Sequence, residues 1–166
     1  MFKNIMPVTD NEIRITPSVL DRLLDFEPDA KTESTKSRSK SLRELKLSVR
    51  RDLEWLLNTR QIALEIPETL VELNKSVFAY GLPDITGTSA KNPADQKRLI
   101  KRLETAVKNF ESRFLDVKVI FEPINNIDRT IRFKIEARLD IEPTPEPVVF
   151  DTVLQLGSGG FAVKES

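Results

Sequence analysis

Apolar residues recur with helical or strand periods along most of the chain, and the gaps between these stretches mark its divisions. Val19, Leu20, Leu23 and Leu24 form a short apolar face. Either Thr16 caps a helix with Pro17 at its first position or the helix starts nearby, and Pro28 ends the pattern. An isolated helix of about ten residues is marginal in water, so this one must dock, either on its own domain or on a partner. Residues 29–41 hold one alanine and no larger apolar side chain. With no burial to offset the entropy of ordering, that segment is expected to be a flexible linker.

A second helix is expected from about Ser41 to Leu57. Leu45, Val49, Leu53 and Leu56 follow spacings of four, four and three, flanked by Leu42 and Leu57. Ser41 with Glu44 fits a capping box, and Asn58-Thr59-Arg60 stops the helix. Trp55 falls off the apolar stripe. Ile62, Leu64 and Ile66 then alternate as a short strand would, and a short helix from Pro67 carries Leu70, Leu73, Val77 and Phe78. Tyr80-Gly81-Leu82-Pro83-Asp84 reads as a tight turn with Gly81 free to take positive φ. A third long helix opens with Asn92 as cap and Pro93 at its first position. It presents Leu99, Leu103, Val107 and Phe110 on one side and Lys97, Arg98, Lys101, Arg102 and Lys108 on the other.

The remainder has period two. Val117, Val119 and Phe121 alternate with Lys118, Ile120 and Glu122, and Ile131 to Ile141 alternates strictly with charged and polar residues. That is the mark of antiparallel strands with one buried and one solvated face. Pro123 to Asp128 forms the turn between them, and Pro143, Pro145 and Pro147 stiffen the next connection. Val148–Leu156 is the last expected strand, after which Gly157-Ser158-Gly159-Gly160 releases the tail. The fold class is therefore α+β: an antiparallel β-meander of about three to four strands packed on helices, with an N-terminal helix on a flexible linker. The divisions are an N-terminal segment at 1–28, a linker at 29–41 and the main domain at 42–163.

Composition narrows the chemistry. The 166 residues include 26 basic and 26 acidic side chains, no cysteine and no histidine. Zero net charge argues against a dedicated nucleic-acid or membrane-surface protein. The absence of Cys and His removes thiolate catalysis, the commonest general base and the commonest metal ligands. No metal site and no cofactor is expected. No apolar run approaches the ~20 residues that span a bilayer, and Met1–Val8 is too broken for a secretory signal, so a cytoplasmic location is expected. Glu54, Glu65, Glu68, Glu104 and Glu111 could furnish an acid/base pair for glycoside hydrolysis, but nothing marks one pair among so many carboxylates. Helix three is basic yet lacks interleaved aromatics for nucleic-acid stacking.

Several segments together resemble one family. Leu20-Asp21-Arg22-Leu23-Leu24-Asp25 with Glu27-Pro28, Val49-Arg50-Arg51-Asp52-Leu53 running to Leu57-Asn58-Thr59-Arg60, and Tyr80-Gly81-Leu82-Pro83-Asp84 carry the likeness. Arg129 to Glu136 and Glu146 to Thr152 extend it to the closing strands. The chain resembles the baseplate wedge proteins of contractile phage tails, and within them the TssE-type baseplate subunit of the type VI secretion system. Where the family usually has Glu-Pro-Arg, this chain has Glu111-Ser112-Arg113.

The resemblance implies a non-enzymatic, structural role, joining the wedge to the first sheath ring. It implies wedge partners of the TssF, TssG and TssK types and contractile sheath subunits, with no nucleic acid and no membrane insertion. Glu111 and Arg113 would fix the wedge junction, either in trans or as an intramolecular pair with, for instance, Arg60 or Asp84. Leu20, Arg22, Leu23 and Leu24 would tether the first helix to a neighbour, and Arg60 is a further candidate for partner binding. Val149 and Val153 mark the final strand, or a neighbouring edge, as the candidate sheet edge, where unpaired N–H and C=O groups accept a foreign strand; the alternative is an edge merely blunted by the Pro143, Pro145 and Pro147 connection. The alternatives are a muramidase-like peptidoglycan hydrolase working through Glu54 or Glu111, or the equivalent phage-tail protein.

Overall fold

The computed structural model describes residues 18–24, 38–62, 66–67, 69–85, 92–122, 130–155 and 159–165. Its helices are α1 (Val19–Leu23), α2 (Arg38–Asn58), α3 (Val71–Asn74) and α4 (Pro93–Phe110), with a 3-10 turn at Val77–Ala79. Its strands are β1 (Phe114–Phe121), β2 (Thr130–Leu139), β3 (Glu146–Gln155) and β4 (Phe161–Glu165). The strands form one antiparallel sheet in the order β1-β2-β3-β4. The α+β meander expected from periodicity is what the chain forms.

The two long helices follow their apolar stripes. Leu45, Val49, Leu53 and Leu56 of α2 are buried, as are Leu99, Leu103 and Val107 of α4. Asn92 Oδ1 accepts from the Ala94 amide at 3.0 Å and Pro93 takes the first helical position, as expected. Helix α2 starts at Arg38, however, so Ser41 lies inside it rather than capping it. Arg38 and Lys40 are helix-favouring residue types, and once the apolar stripe has nucleated the helix each added residue gains a hydrogen bond at little further entropy. The rest of the expected linker, residues 29–37, lies outside the described residues, as do Thr16, Pro17, Pro28 and the turn at 123–128.

In the sheet, Ile131, Phe133, Ile135, Ala137 and Leu139 of β2 all face the core, meeting Val148, Phe150 and Leu154 of β3. Helix α4 lies against β1, and α2 against β4. A register shift between Phe114 and Asp116 leaves Leu115 exposed at the start of β1.

The end of the sheet corrects the sequence expectation. Gly159 adopts φ +68° and its amide donates to Gln155 O at 2.8 Å, while the Gln155 amide donates to Gly160 O at 2.9 Å. The glycines thus turn the chain back into β4, which buries Phe161 and Val163, instead of releasing a tail. Strand β3 is therefore interior, between β2 and β4, and is not the edge. Val149 and Val153 sit half-buried on its face away from the core. The signal was weak because β4 spans five residues and offers only two apolar positions of period two.

The segment after α2 differs too. Gln61, Ile62 and Ile66 are not in a strand; 63–65 lie outside the described residues. A single parallel bridge joins Arg60 to Leu82 instead. The expected helix over Leu70–Phe78 breaks into the single turn of α3 and the 3-10 turn, and its apolar residues are exposed. Gly81 holds this return loop against α2. At φ +103° it lets the Leu82 amide reach Thr59 O at 2.8 Å, and a Cβ there would stand 2.4 Å from that same oxygen.

No helix among the described residues is long and apolar enough to cross a membrane. One core position is frustrated. Thr152 is 1 % exposed, and its hydroxyl has no hydrogen-bond partner among the described residues. Thr152→Val keeps the shape and removes the stranded hydroxyl, so it should raise stability by about 1 kcal/mol. A higher urea midpoint at unchanged slope confirms this; a lower midpoint refutes it.

Candidate functional site

Helix α4 ends at a buried acid. Glu111 is the C-cap, its amide donating to Val107 O at 2.8 Å, and it is only 5 % exposed. A carboxylate there faces the negative end of the helix dipole without water, so it needs a cation at hand. Arg113 supplies it. Its Nε donates to Glu111 Oε1 at 2.6 Å and Nη2 to Oε2 at 2.5 Å, while the Arg113 amide also donates to Oε1 at 3.2 Å. This is the two-pronged guanidinium–carboxylate geometry that lysine cannot reproduce.

The pair does not end there. Arg113 Nη2 donates to Asp52 Oδ2 at 2.7 Å, and Nη1 donates to Ser48 Oγ at 3.0 Å, both on α2. On its other oxygen Asp52 accepts from Arg51 Nε and Nη2, at 3.0 and 2.8 Å. Arg51 Nη2 continues to Asp21 Oδ1 on α1 at 2.9 Å. Ser48 Oγ closes the ring by donating to Asp21 Oδ2 at 2.6 Å. Three acids and two guanidiniums thus alternate in sign from the end of α4, across α2, to α1.

Burial and charge pull against each other throughout. Burial raises the Asp21 carboxyl, but hydrogen bonds from Ser48, Ser18 and Arg51, with the Arg51 charge, outweigh it and hold its pKa at about 2. Burial lowers Arg113, yet Glu111 and Asp52 reverse this and leave it above its ordinary value. Burial also raises the Tyr80 phenol, helped by the Asp52 and Glu111 carboxylates. Tyr80 stacks edge-on against Phe110 at 5.2 Å. With Ser18, Asp52, Glu111 and Arg113 they line an open pocket of about 400 Å³ above the cluster.

The sequence-derived positions fall in three places. Glu111 and Arg113 are together and paired within the chain, but with Asp52 and Ser48 rather than with Arg60 or Asp84. Those two face each other instead, 3.8 Å apart and well exposed. Leu20, Leu23 and Leu24 are exposed on α1, as is Val19, because the helix docks through its polar side by way of Asp21. Among the described residues, the apolar face of α1 is not docked on the domain. Arg22 lies in α1, with its side chain outside the described residues. Val149 and Val153 lie in the interior strand, away from the cluster. Ser48, Arg51 and Asp52 were not anticipated as site residues. A polar Ser48 on an apolar stripe, with Arg51 and Asp52 three and four residues on, was the available signal.

Both sheet edges carry a helix side chain. Asn58, at the end of α2, donates through Nδ2 to Phe161 O at 2.9 Å and accepts from the Phe161 amide at 2.8 Å. Glu104 on α4 accepts from the Val119 amide on β1 at 2.9 Å. By the alternation of an antiparallel ladder, Val163 and Glu165 also turn their backbone groups outward on β4. No group of three or more acidic side chains among the described residues could hold a metal ion.

Two outcomes test the cluster. Arg113→Ala leaves Glu111 buried and unpaired and should cost about 3 kcal/mol in urea unfolding; Glu111→Leu with Arg113→Met should recover part of that, and an equal loss would refute the pairing. Asp21 has a folded pKa of about 2 against an ordinary 3.8, so its contribution is present above about pH 4 and disappears as pH falls through that interval. Trp55, the sole tryptophan, lies 5.1 Å beneath the Arg51 guanidinium and reports the release. Its fluorescence should change between pH 4 and 2 in the wild type and not in Asp21→Asn; identical titrations would refute the link.

Comparison with known proteins agrees with the sequence resemblance. The family model described as baseplate wedge protein gp25 matches residues 43–144. That span takes in most of α2, all of α4, β1 and β2, and with them Ser48, Arg51, Asp52, Glu111 and Arg113. No curated protein matches, and no solved structure does. The match covers more than half of the chain, and the chain belongs to the family of the baseplate wedge protein gp25.

Proposed function

We propose that this chain is the TssE-type subunit of a type VI secretion baseplate, a structural part that joins the wedge to the first ring of the contractile sheath in the cytoplasm. The observation that carries this is the coincidence of the family match with the buried ionic junction: every member of the cluster except Asp21 and Ser18 lies inside the matched span. On this reading the cluster's first task is to set the angle between α2, α4 and α1. The open pocket above it, rimmed by Tyr80, Phe110 and Asp52, then receives part of a wedge subunit of the TssF, TssG or TssK type.

Helix α1 is the second contact. Its polar side is pinned by Asp21, which turns Val19, Leu20 and Leu23 toward solvent. An apolar face held outward by an ion pair on its reverse is suited to a partner's groove. The sheath contact would use the β4 edge at Val163 and Glu165, since β3 is interior.

Co-purification tests the assignment. Tagged wild type, co-expressed with wedge and sheath subunits, should retain wedge subunits. Leu20→Asp with Leu23→Asp, both at exposed positions, should lose them while keeping the wild-type urea midpoint. Capture of nothing by the wild type would remove the assembly reading, and full capture by the double variant would remove α1 as a contact.

A further inference from the structure

Five of the exposed large apolar residues, Leu70, Val71, Leu73, Val77 and Phe78, fall within one short stretch between α2 and α4, and Val77 is 88 % exposed. Their exposure is imposed by a braced loop. Asn74 Nδ2 donates to Pro67 O and to Leu70 O, both at 3.0 Å. Ser76 Oγ donates to Leu73 O at 2.7 Å and accepts from the Phe78 amide at 3.3 Å. The loop ends on Tyr80, stacked against Phe110. The backbone that carries the apolar side chains is thus held by local hydrogen bonds, which lowers the ordering entropy a partner would have to overcome.

A groove of about 330 Å³ runs between this loop and α4. Asn74, Ala79 and Pro83 are on the loop side, and Arg98, Lys101 and Arg102 on the helix side. The cations sit at i, i+3 and i+4, on one face of α4. Arg98 already bonds Asp95. Lys101 and Arg102 are exposed, with no carboxylate partner among the described residues. Lys97 and Lys108 extend the same sign along the helix, although the chain as a whole is neutral. The groove therefore has a cationic bank on α4 and a loop bank of Asn74, Ala79 and Pro83, and the exposed apolar residues belong to that same loop.

We propose that this groove is a docking site for an acidic amphipathic segment of a partner protein. The partner's apolar residues would lie against the loop from Leu70 to Ala79, and its carboxylates would meet Lys101 and Arg102. Charge complementarity selects this occupant. A second copy of the chain would bring the same cationic bank against itself, and a nucleic acid would find no aromatic ladder on α4 to stack on. The groove adjoins the pocket above the charged cluster at Phe110, but Lys101, Arg102, Val77 and Phe78 belong neither to the cluster nor to the α1 contact, so variants at these four positions test it apart from them.

The test uses fluorescein-labelled helical peptides with Leu or Phe at i, i+3, i+4 and i+7. One set carries Glu at the other positions and one carries Lys. Fluorescence anisotropy on the full chain should show binding of the Glu peptide at micromolar to millimolar concentration and weaker binding of the Lys peptide. Lys101→Glu with Arg102→Glu should weaken the Glu peptide by about tenfold or more and improve the Lys peptide. Val77→Ser with Phe78→Ser should weaken both. All four positions are exposed, and unchanged urea midpoints confirm that the variants fold. No binding of the Glu peptide at millimolar concentration, or equal binding of both peptides, overturns the proposal. So does tighter binding of a labelled single-stranded oligonucleotide, or a dimer in light scattering that the charge reversal disrupts.

Discussion

Glu111 is buried at the negative end of α4, a position where the helix dipole and the loss of water both penalise a carboxylate. Only a close cation makes that tolerable, and Arg113 can reach back because the chain turns sharply between them. The turn is held from the backbone as well as from the side chains. Arg113 donates its amide to Glu111, and its carbonyl accepts from the Asp140 amide at 2.8 Å. One guanidinium is thereby fixed relative to the end of α4, the start of β1 and the end of β2. Two of its three remaining N–H donors reach Ser48 and Asp52 on α2. The placement of two helices and the sheet thus passes through a single side chain.

Buried ion clusters are poor sources of net stability, since desolvation offsets much of the attraction. What they give is direction. The apolar core beneath α2 and α4 would tolerate small rotations of either helix, as Val49, Leu53, Leu103 and Val107 are non-directional contacts. The alternation Glu111–Arg113–Asp52–Arg51–Asp21 tolerates far less, because every link is a hydrogen bond with a defined angle. The same property explains α1. Five residues cannot hold a helix in place through apolar contact, and here they do not try; one aspartate, capped by Ser18 and gripped by Ser48 and Arg51, positions the helix and leaves its leucines outward.

The parts of the fold that were legible in the sequence are those with enough repeats to define a period. Helices α2 and α4 and strand β2 are long, each places at least four apolar residues in register, and all three are where periodicity puts them. Strand β4 and the start of α2 were not legible. The first has two inward positions, and the second precedes the apolar stripe. Residues 70–78 show the opposite failure: a helical spacing of apolar residues that the chain does not bury, because α3 ends after one turn and the following 3-10 turn points the side chains outward. In the site, Glu111 and Arg113 stand out through the family resemblance, whereas their partners do not. Which residues of α2 face Arg113 depends on how α2 crosses α4, and that is a tertiary property that local sequence does not carry.

The sheet edges follow the same logic of partial closure. An open edge invites uncontrolled pairing, and proteins blunt it. Here each edge is stopped at one rung by a helix side chain, Asn58 at Phe161 on β4 and Glu104 at Val119 on β1. The asparagine supplies both a donor and an acceptor, so it satisfies Phe161 as a neighbouring strand would. The glutamate only accepts, and leaves the Val119 carbonyl to be satisfied otherwise. A strand approaching β4 would therefore meet a closed rung beside the Gly159 turn and open ones toward Glu165. It would be confined to one end of the edge, and its register would be set by where Asn58 stops. An edge built this way leaves room for a short strand in one position while resisting the extended pairing that leads to aggregation.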